Sequence, residues 1–177
     1  GRQYDGSRSR VLPELDALQE ALRTNIPRTR RSSIVHGDFR LDNALVEDII
    51  GEPAISAILD WEMATLGDSL TDLGMFGLYW SLNELEGIPA GVVASAVSTE
   101  DGYPAFEELV AEYEDAAAVS VPELPWYLAL AAFKLAVILE GIRFRHEAGQ
   151  TVGEGFESIG MLVEPVARAG RHYLEGV

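Results

Sequence analysis

A chain of 177 residues, 47% of them hydrophobic, has room for one well-cored domain or two small sub-lobes and is too apolar to stay disordered. It has no cysteine, so disulfides and thiolate metal sites are excluded, and no apolar run approaches the ~20 residues that cross a bilayer. The net charge of −16 is concentrated: Leu41 to Phe133 holds 18 Asp and Glu and no Lys or Arg, a surface that repels nucleic acid and anionic membrane and would attract a cationic ligand.

The opening residues, Gly1 to Asp5, carry no apolar signal segment, so a cytoplasmic protein is expected. Leu12, Leu15, Leu18 and Leu22 recur at helical spacing and predict a helix over 11–24, with Pro13 in its first turn and Asn25-Ile26-Pro27 ending it. Arg28, Arg30 and Arg31 read as a solvated basic linker. Ser33 to His36 reads as a short buried strand, Ala44 to Glu47 as a second, and Ala54 to Asp60 as a third, with Gly51, Glu52 and Pro53 turning between the last two. Asp68 suits the N-cap of a helix from Ser69 to about Trp80. Residues 81–103 are weakly patterned and predict loop with a short helix. Pro104 can open a helix through Ala117, its outer face carrying Glu107, Glu108, Glu112, Glu114 and Asp115.

The segment from Leu124 to Glu147 is apolar almost all round, through Trp126, Leu130, Phe133, Val137 and Ile138, which predicts a central helix ended by Gly149. A last helix over 154–173 aligns Phe156, Ile159, Val163 and Val166 and is expected to kink at Pro165. The sum is an α+β fold, mainly helical, with a small strand cluster embedded in helices. Trp61, Trp80 and Trp126 read as core or cleft wall, and His146 and His172, near helix C-termini, as structural.

Two of the apolar runs end on polar residues that a core would not choose. Ile34-Val35 delivers His36, Gly37 and Asp38; Ile55 to Leu59 delivers Asp60; Asn43 lies between them. The pattern H-x-D-x-x-x-x-N, followed by an apolar strand ending in Asp, is the spacing of a kinase catalytic loop and its metal-binding Asp. Phosphoryl transfer asks the protein for a carboxylate that orients the acceptor hydroxyl, the place Asp38 takes, and for hard oxygen donors to Mg²⁺, which Asn43 and Asp60 can supply. His36 is better placed to brace the loop by hydrogen bonding than to titrate.

The stretch His36-Gly37-Asp38-Phe39-Arg40-Leu41-Asp42-Asn43 resembles the catalytic loop of the aminoglycoside phosphotransferase family, which reads His-Gly-Asp where protein kinases have His-Arg-Asp. Ile58-Leu59-Asp60-Trp61-Glu62 resembles the family's metal-binding segment, and Gly67-Asp68 through Asp72-Leu73-Gly74 resembles the helix start that follows it. Within the family, Arg-Leu-Asp-Asn with Leu-Asp-Trp-Glu and Ala-Thr-Leu-Gly-Asp is most similar to a branch that includes kinase-like domains fused to acyl-CoA dehydrogenases. The resemblance implies the C-terminal lobe of a protein-kinase-like fold and an ATP- and Mg²⁺-dependent transfer to a small-molecule hydroxyl, on an aminoglycoside-like or hydroxyacyl-CoA-like acceptor. It implies Asp38 as catalytic base, Asn43 and Asp60 as cofactor and Mg²⁺ ligands, and Asp72 as an anchor of the loop. Arg40 falls where protein kinases place a Lys that neutralises the phosphoryl group, although pairing with a loop carboxylate serves equally. Glu62 could reach the metal or a substrate amine.

One departure bears on activity. Such kinases begin with a small sheet lobe bearing a phosphate-covering loop and a strand Lys, and nothing before Ile34 supplies either; the sole Lys, Lys134, falls inside a helical pattern. Residues 1–177 are therefore expected to be a single catalytic and substrate lobe, the N-terminal nucleotide-binding lobe absent, and to be inactive alone. Its partners would then be that lobe and a hydroxyl acceptor, cationic if the acidic stretch selects it, with no nucleic acid and no membrane. The alternative is a pseudokinase-like binding or scaffold module that has lost its nucleotide half. A metal-dependent hydrolase would want more His or Asp ligands than this chain concentrates in one place.

Overall fold

A computed structural model describes residues 10–29, 32–89, 97, 102–150, 156 and 158–176. Helix α1 (Pro13–Thr24) starts on Pro13 and buries Leu15, Leu18 and Leu22, as its periodicity requires. Four strands follow: β1 (Ser32–Val35), β2 (Ala44–Ile49), β3 (Glu52–Ile58) and β4 (Thr65–Asp68). Helix α2 (Leu70–Ser81) comes next, then α3 (Phe106–Ala117), α4 (Leu124–Glu147) and α5 (Val163–Glu175). The fold is mainly helical with small antiparallel strand pairs, as expected. The loop-and-helix reading of 81–103 keeps a 3₁₀ turn at Leu82–Glu84, and most of the rest lies outside the described residues, as do Arg30 and Arg31.

The core is helical. Leu12, Leu15 and Leu18 from the α1 region, Leu78 from α2 and Val163 and Val166 from α5 are almost completely buried. They close around α4, where Ala129, Ala131, Ala132 and Ala136 let the neighbouring helices approach. Each fully buried leucine contributes about 1.5–3 kcal/mol of transfer free energy. Helix α4 is central, but not apolar on every side: Ile138 is 46% exposed, so the all-round reading overreached at its C-terminal half. Helices α2 and α4 approach backbone to backbone at Gly74, where an added Cβ would lie 2.6 Å from the Tyr127 carbonyl carbon and oxygen.

The strands depart from expectation most. They form two separate antiparallel pairs, β1 with β4 and β2 with β3. Strand β4 was not anticipated; Thr65 to Asp68 reads as a lead into the helix, yet Val35 pairs with Thr65 and Ser32 with Asp68. Asp68 is thus a strand end rather than the N-cap, although its Oδ1 still accepts from Leu70 N at 3.1 Å. The Tyr127 hydroxyl also bonds Asp68; burial and that carboxylate push the phenol up to about 12, pinning α4 to the end of β4.

Nor is β1 the buried strand expected: Val35 is buried, but Ile34 is 67% exposed. The hairpin turns at Ile50-Gly51, both at positive φ (61° and 81°), one residue before the expected Gly51-Glu52-Pro53. Pro53 fits inside β3 because each two-stranded pair consists of edges.

The C-terminal segment corrects another expectation. A 3₁₀ turn at Ile159–Met161 precedes α5, which begins at Val163 and so places Pro165 in its first turn. Proline is tolerated there because the first N–H groups of a helix have no intrahelical partner. A helix start stands where a kink was expected. Phe156 lies before the helix and stacks on His146 with ring centroids 6.0 Å apart.

Candidate active site

The loop from His36 to Asn43 is fixed from several sides. Asp72, on the first turn of α2, accepts from His36 N at 2.7 Å and from Gly37 N at 2.9 Å. His36 is buried to 1% exposure; its Nε2 lies 2.7 Å from Leu59 O and its Nδ1 3.3 Å from Asp38 N. Those two contacts suit one tautomer, with Nε2–H donating to the carbonyl and Nδ1 accepting from the amide. The imidazole is a brace between the loop and the end of β3, and the Trp61 ring packs on it at 4.7 Å between centroids.

Gly37 has φ +89°, and a Cβ there would lie 2.7 Å from Met63 O. Both conformation and space therefore demand glycine: any side chain would drive the 61–63 turn away from the loop. Beyond it, Asn43 turns inward from the 3₁₀ turn Leu41–Asn43 and is 8% exposed. Its Nδ2 donates to Asp38 O at 2.9 Å and approaches Asp38 Oδ2 at 3.4 Å, which leaves Oδ1 as the atom to offer a cation. The Asn43 carbonyl accepts from Leu59 N at 2.7 Å. Asp38, Asn43 and the residue before Asp60 are thus joined by consecutive hydrogen bonds.

Asp60 follows with φ 63° and ψ 55°, a left-handed conformation that Asp tolerates better than most residues and that collects at functional sites. It is exposed, as is Glu62 in the turn behind it. Arg40 sends Nε to within 3.6 Å of Asp38 Oδ2 and Nη1 to within 3.6 Å of Asp42 Oδ2, while its guanidinium lies 5.0 Å from the Tyr79 ring centroid. Burial first, then the Asp38 charge, raise the Tyr79 phenol pKa, and Arg40 offsets part of that.

Hydrogen bonds and an ion pair thus join His36, Asp38, Arg40, Asn43 and Asp72, and Asp60 follows Leu59, which is bonded to that loop, while neither the Asp60 nor the Glu62 side chain makes a described contact with the others. Among the described residues no group of three or more His, Cys, Asp or Glu converges on a metal position. A set of one amide and one carboxylate oxygen nonetheless suits Mg²⁺, which is commonly bound through one or two carboxylates with phosphate and water completing the shell.

A profile of the phosphotransferase enzyme family matches residues 1–109, more than half of the chain. The chain belongs to that family. Its structure superposes on a Ralstonia eutropha protein provisionally assigned as an aminoglycoside phosphotransferase, with TM-score 0.83 and 30% identity over 99% of this chain and 53% of that one. Acyl-CoA dehydrogenase family member 11 from Homo sapiens is 31% identical over 96% of the chain and 21% of its own length, and that from Gallus gallus is 32% identical over 96% and 22%. Viomycin phosphotransferase from Streptomyces vinaceus is 37% identical over 41% of the chain and 23% of its own length. The chain spans about a fifth of the length of these curated relatives.

Three contributors to the family's loop geometry escaped the sequence reading. Leu59 acts through its backbone, which no side-chain pattern reports. Trp61, read as core or cleft wall, is 50% exposed and so is not core; its contact with His36 was not foreseen. Lys134 was noted only as belonging to a helix; its Nζ donates to Gly37 O at 3.1 Å. A sole lysine on an otherwise apolar stretch of helix was the available signal.

Proposed function

We propose that this chain is the catalytic and acceptor-binding lobe of an ATP- and Mg²⁺-dependent phosphotransferase that phosphorylates an alcohol hydroxyl. The observation that carries the reading is the hydrogen-bonded closure of the His36–Asn43 loop onto the strand end bearing a left-handed Asp60. Asp38 orients the acceptor hydroxyl and takes its proton as the new O–P bond forms and the bond from the γ-phosphorus to the bridging oxygen of ATP breaks, ADP leaving with the electron pair. Asn43 and Asp60 hold the metal, which when bound neutralises the phosphates of the nucleotide. Arg40 steers the Asp38 carboxylate and Asp72 fixes the backbone beneath it. Glu62, exposed two residues after Asp60, is read as meeting the metal or an amine on the acceptor.

The strands support a second part of the reading. Ile34, Val46, Ile55, Leu59, Trp61 and Leu66, on or next to the two strand pairs, expose from 43% to 78% of their surface, a large apolar area for a small protein. We assign that face to a nucleotide-binding lobe, in keeping with a structural relative of which this chain covers 53%. The lobe alone is then expected to transfer phosphate poorly.

The acidic run from Leu41 to Phe133 favours a cationic acceptor. The test is a panel of amine-bearing alcohols, sugar acids and hydroxyacyl-CoA esters offered with MgATP to the full-length protein and to its Asp38→Asn variant. Transfer to an amine-bearing alcohol, falling by about 10²–10⁴-fold in the variant, is expected for a lost general base. Wild-type turnover in Asp38→Asn would remove the role given to Asp38, and preference for anionic acceptors would remove the cationic one.

A further inference from the structure

The peptide unit that carries Asp38 is held at both ends by residues from different parts of the chain. Its N–H, on Asp38, meets His36 Nδ1 at 3.3 Å; its carbonyl, on Gly37, accepts from Lys134 Nζ at 3.1 Å. The unit before it is anchored through Gly37 N to Asp72 Oδ1 at 2.9 Å. Gly37 has the conformational freedom of a glycine at φ +89°, so these bonds are what fix the plane of the Gly37–Asp38 peptide. Lys134 comes from the middle of α4, 97 residues away in sequence, and is the sole lysine of the chain.

We propose that Lys134 is a positioning residue for phosphoryl transfer: its ammonium holds the Gly37 carbonyl and so sets the direction in which Asp38 presents its carboxylate. The inference rests on the phosphotransfer reading above. Helix α4 is part of the rigid core, so the bond refers the loop to the best-packed element of the fold rather than to the exposed strands. The charge matters as well as the donor. Burial lowers the Lys134 pKa, while the charges of Asp72 and then Asp38 draw it back up, so the ammonium lies in the field of two carboxylates in a segment otherwise devoid of basic residues after Arg40. A neutral side chain of the same length would keep the packing of the stem and lose the grip on the carbonyl.

The test compares full-length Lys134→Met and Lys134→Arg with the wild type. Residue-resolved amide exchange at His36, Gly37 and Asp38 reads the loop; kcat and the KM for MgATP, with the acceptor chosen from the panel, read the reaction. In Lys134→Met, exchange at these three amides rises at least tenfold, kcat falls at least tenfold and the nucleotide KM stays within about twofold, with the unfolding midpoint as the folding control. Lys134→Arg restores the greater part of both. Unchanged exchange or unchanged kcat in the Met variant overturns the proposal, as does equal loss in Met and Arg. Failure of the phosphotransfer reading shows separately, as turnover indifferent to Asp38→Asn, because exchange at residues 36–38 needs no catalysis.

Discussion

Asp60 and Asp72 are both carboxylates of the candidate site, yet they sit in it for different reasons, and substitution separates them. Asp72 spends both oxygens on backbone N–H groups, so Asp72→Asn must turn an NH₂ toward one of those donors. A buried amide left without its acceptor costs about 1–3 kcal/mol. We expect a lower urea midpoint together with lower activity. Asp60 is exposed and left-handed, so its carboxylate adds little to the fold while its backbone matters. Asp60→Asn keeps a residue that accepts this conformation; Asp60→Ala does not, at about 1–2 kcal/mol. Mn²⁺ titration of the full-length protein should therefore show weakened metal binding in both, with loss of stability confined to the Ala variant. Equal metal affinity in Asp60→Asn and wild type would take Asp60 out of the ligand set.

At the scale of elements, close approach and turn geometry make opposite predictions for two small changes. Gly74→Ala should stabilise an isolated helix by about 1 kcal/mol. In α2 the new methyl would meet the Tyr127 backbone, which has no rotamer to give way, so a net loss of stability is expected in chemical denaturation. Ile50 is a β-branched residue at φ 61° and 99% exposed, so Ile50→Asn, making the Asn-Gly of a type I′ turn, should raise the unfolding midpoint.

The same elements show what the sequence disclosed. The helices announced themselves by period, α1 through its leucines and α4 through its apolar length, and so did the loop motif, because its chemistry needs fixed residue types at fixed spacing. Strand β4 did not, since its partner is β1, some thirty residues earlier, and its four residues show no alternation of their own. The burial of β1 was misjudged because an apolar run reports what a strand can bury, not whether a neighbour is there to cover it. Lys134 was invisible as part of the site for a related reason: its contact is to a backbone carbonyl on the far side of the chain.

Across the whole molecule, the excess of negative charge makes the placement of its few arginines informative. Glu140, on α4 with no exposed side-chain surface, lies between Arg10 and Arg143 at 2.8 and 2.6 Å, and Arg10 also donates to Gly160 O at 2.7 Å. One carboxylate thus ties the residues before α1 and the turn before α5 to the central helix. Burial pushes the Glu140 pKa up, but hydrogen bonds and charge from Arg143 and Arg10 outweigh it and hold the group below the ordinary glutamate value. A carboxyl whose folded pKa is depressed stabilises the fold fully above its unfolded pKa and loses that contribution as pH falls through the folded one. Stability from this group should therefore be intact at neutral pH and decline below about pH 4.3, the unperturbed glutamate value. Glu140→Gln removes the charge at every pH and leaves Arg143, 11% exposed, without its main partner, which should cost about 3–5 kcal/mol at neutral pH. Urea midpoints measured from pH 7 down to pH 3 should start lower in the variant and converge on wild type as the acid protonates Glu140. A constant gap across that range would show that the network acts through packing alone and that the carboxylate charge contributes nothing to holding the residues before α1 and the turn before α5 on α4.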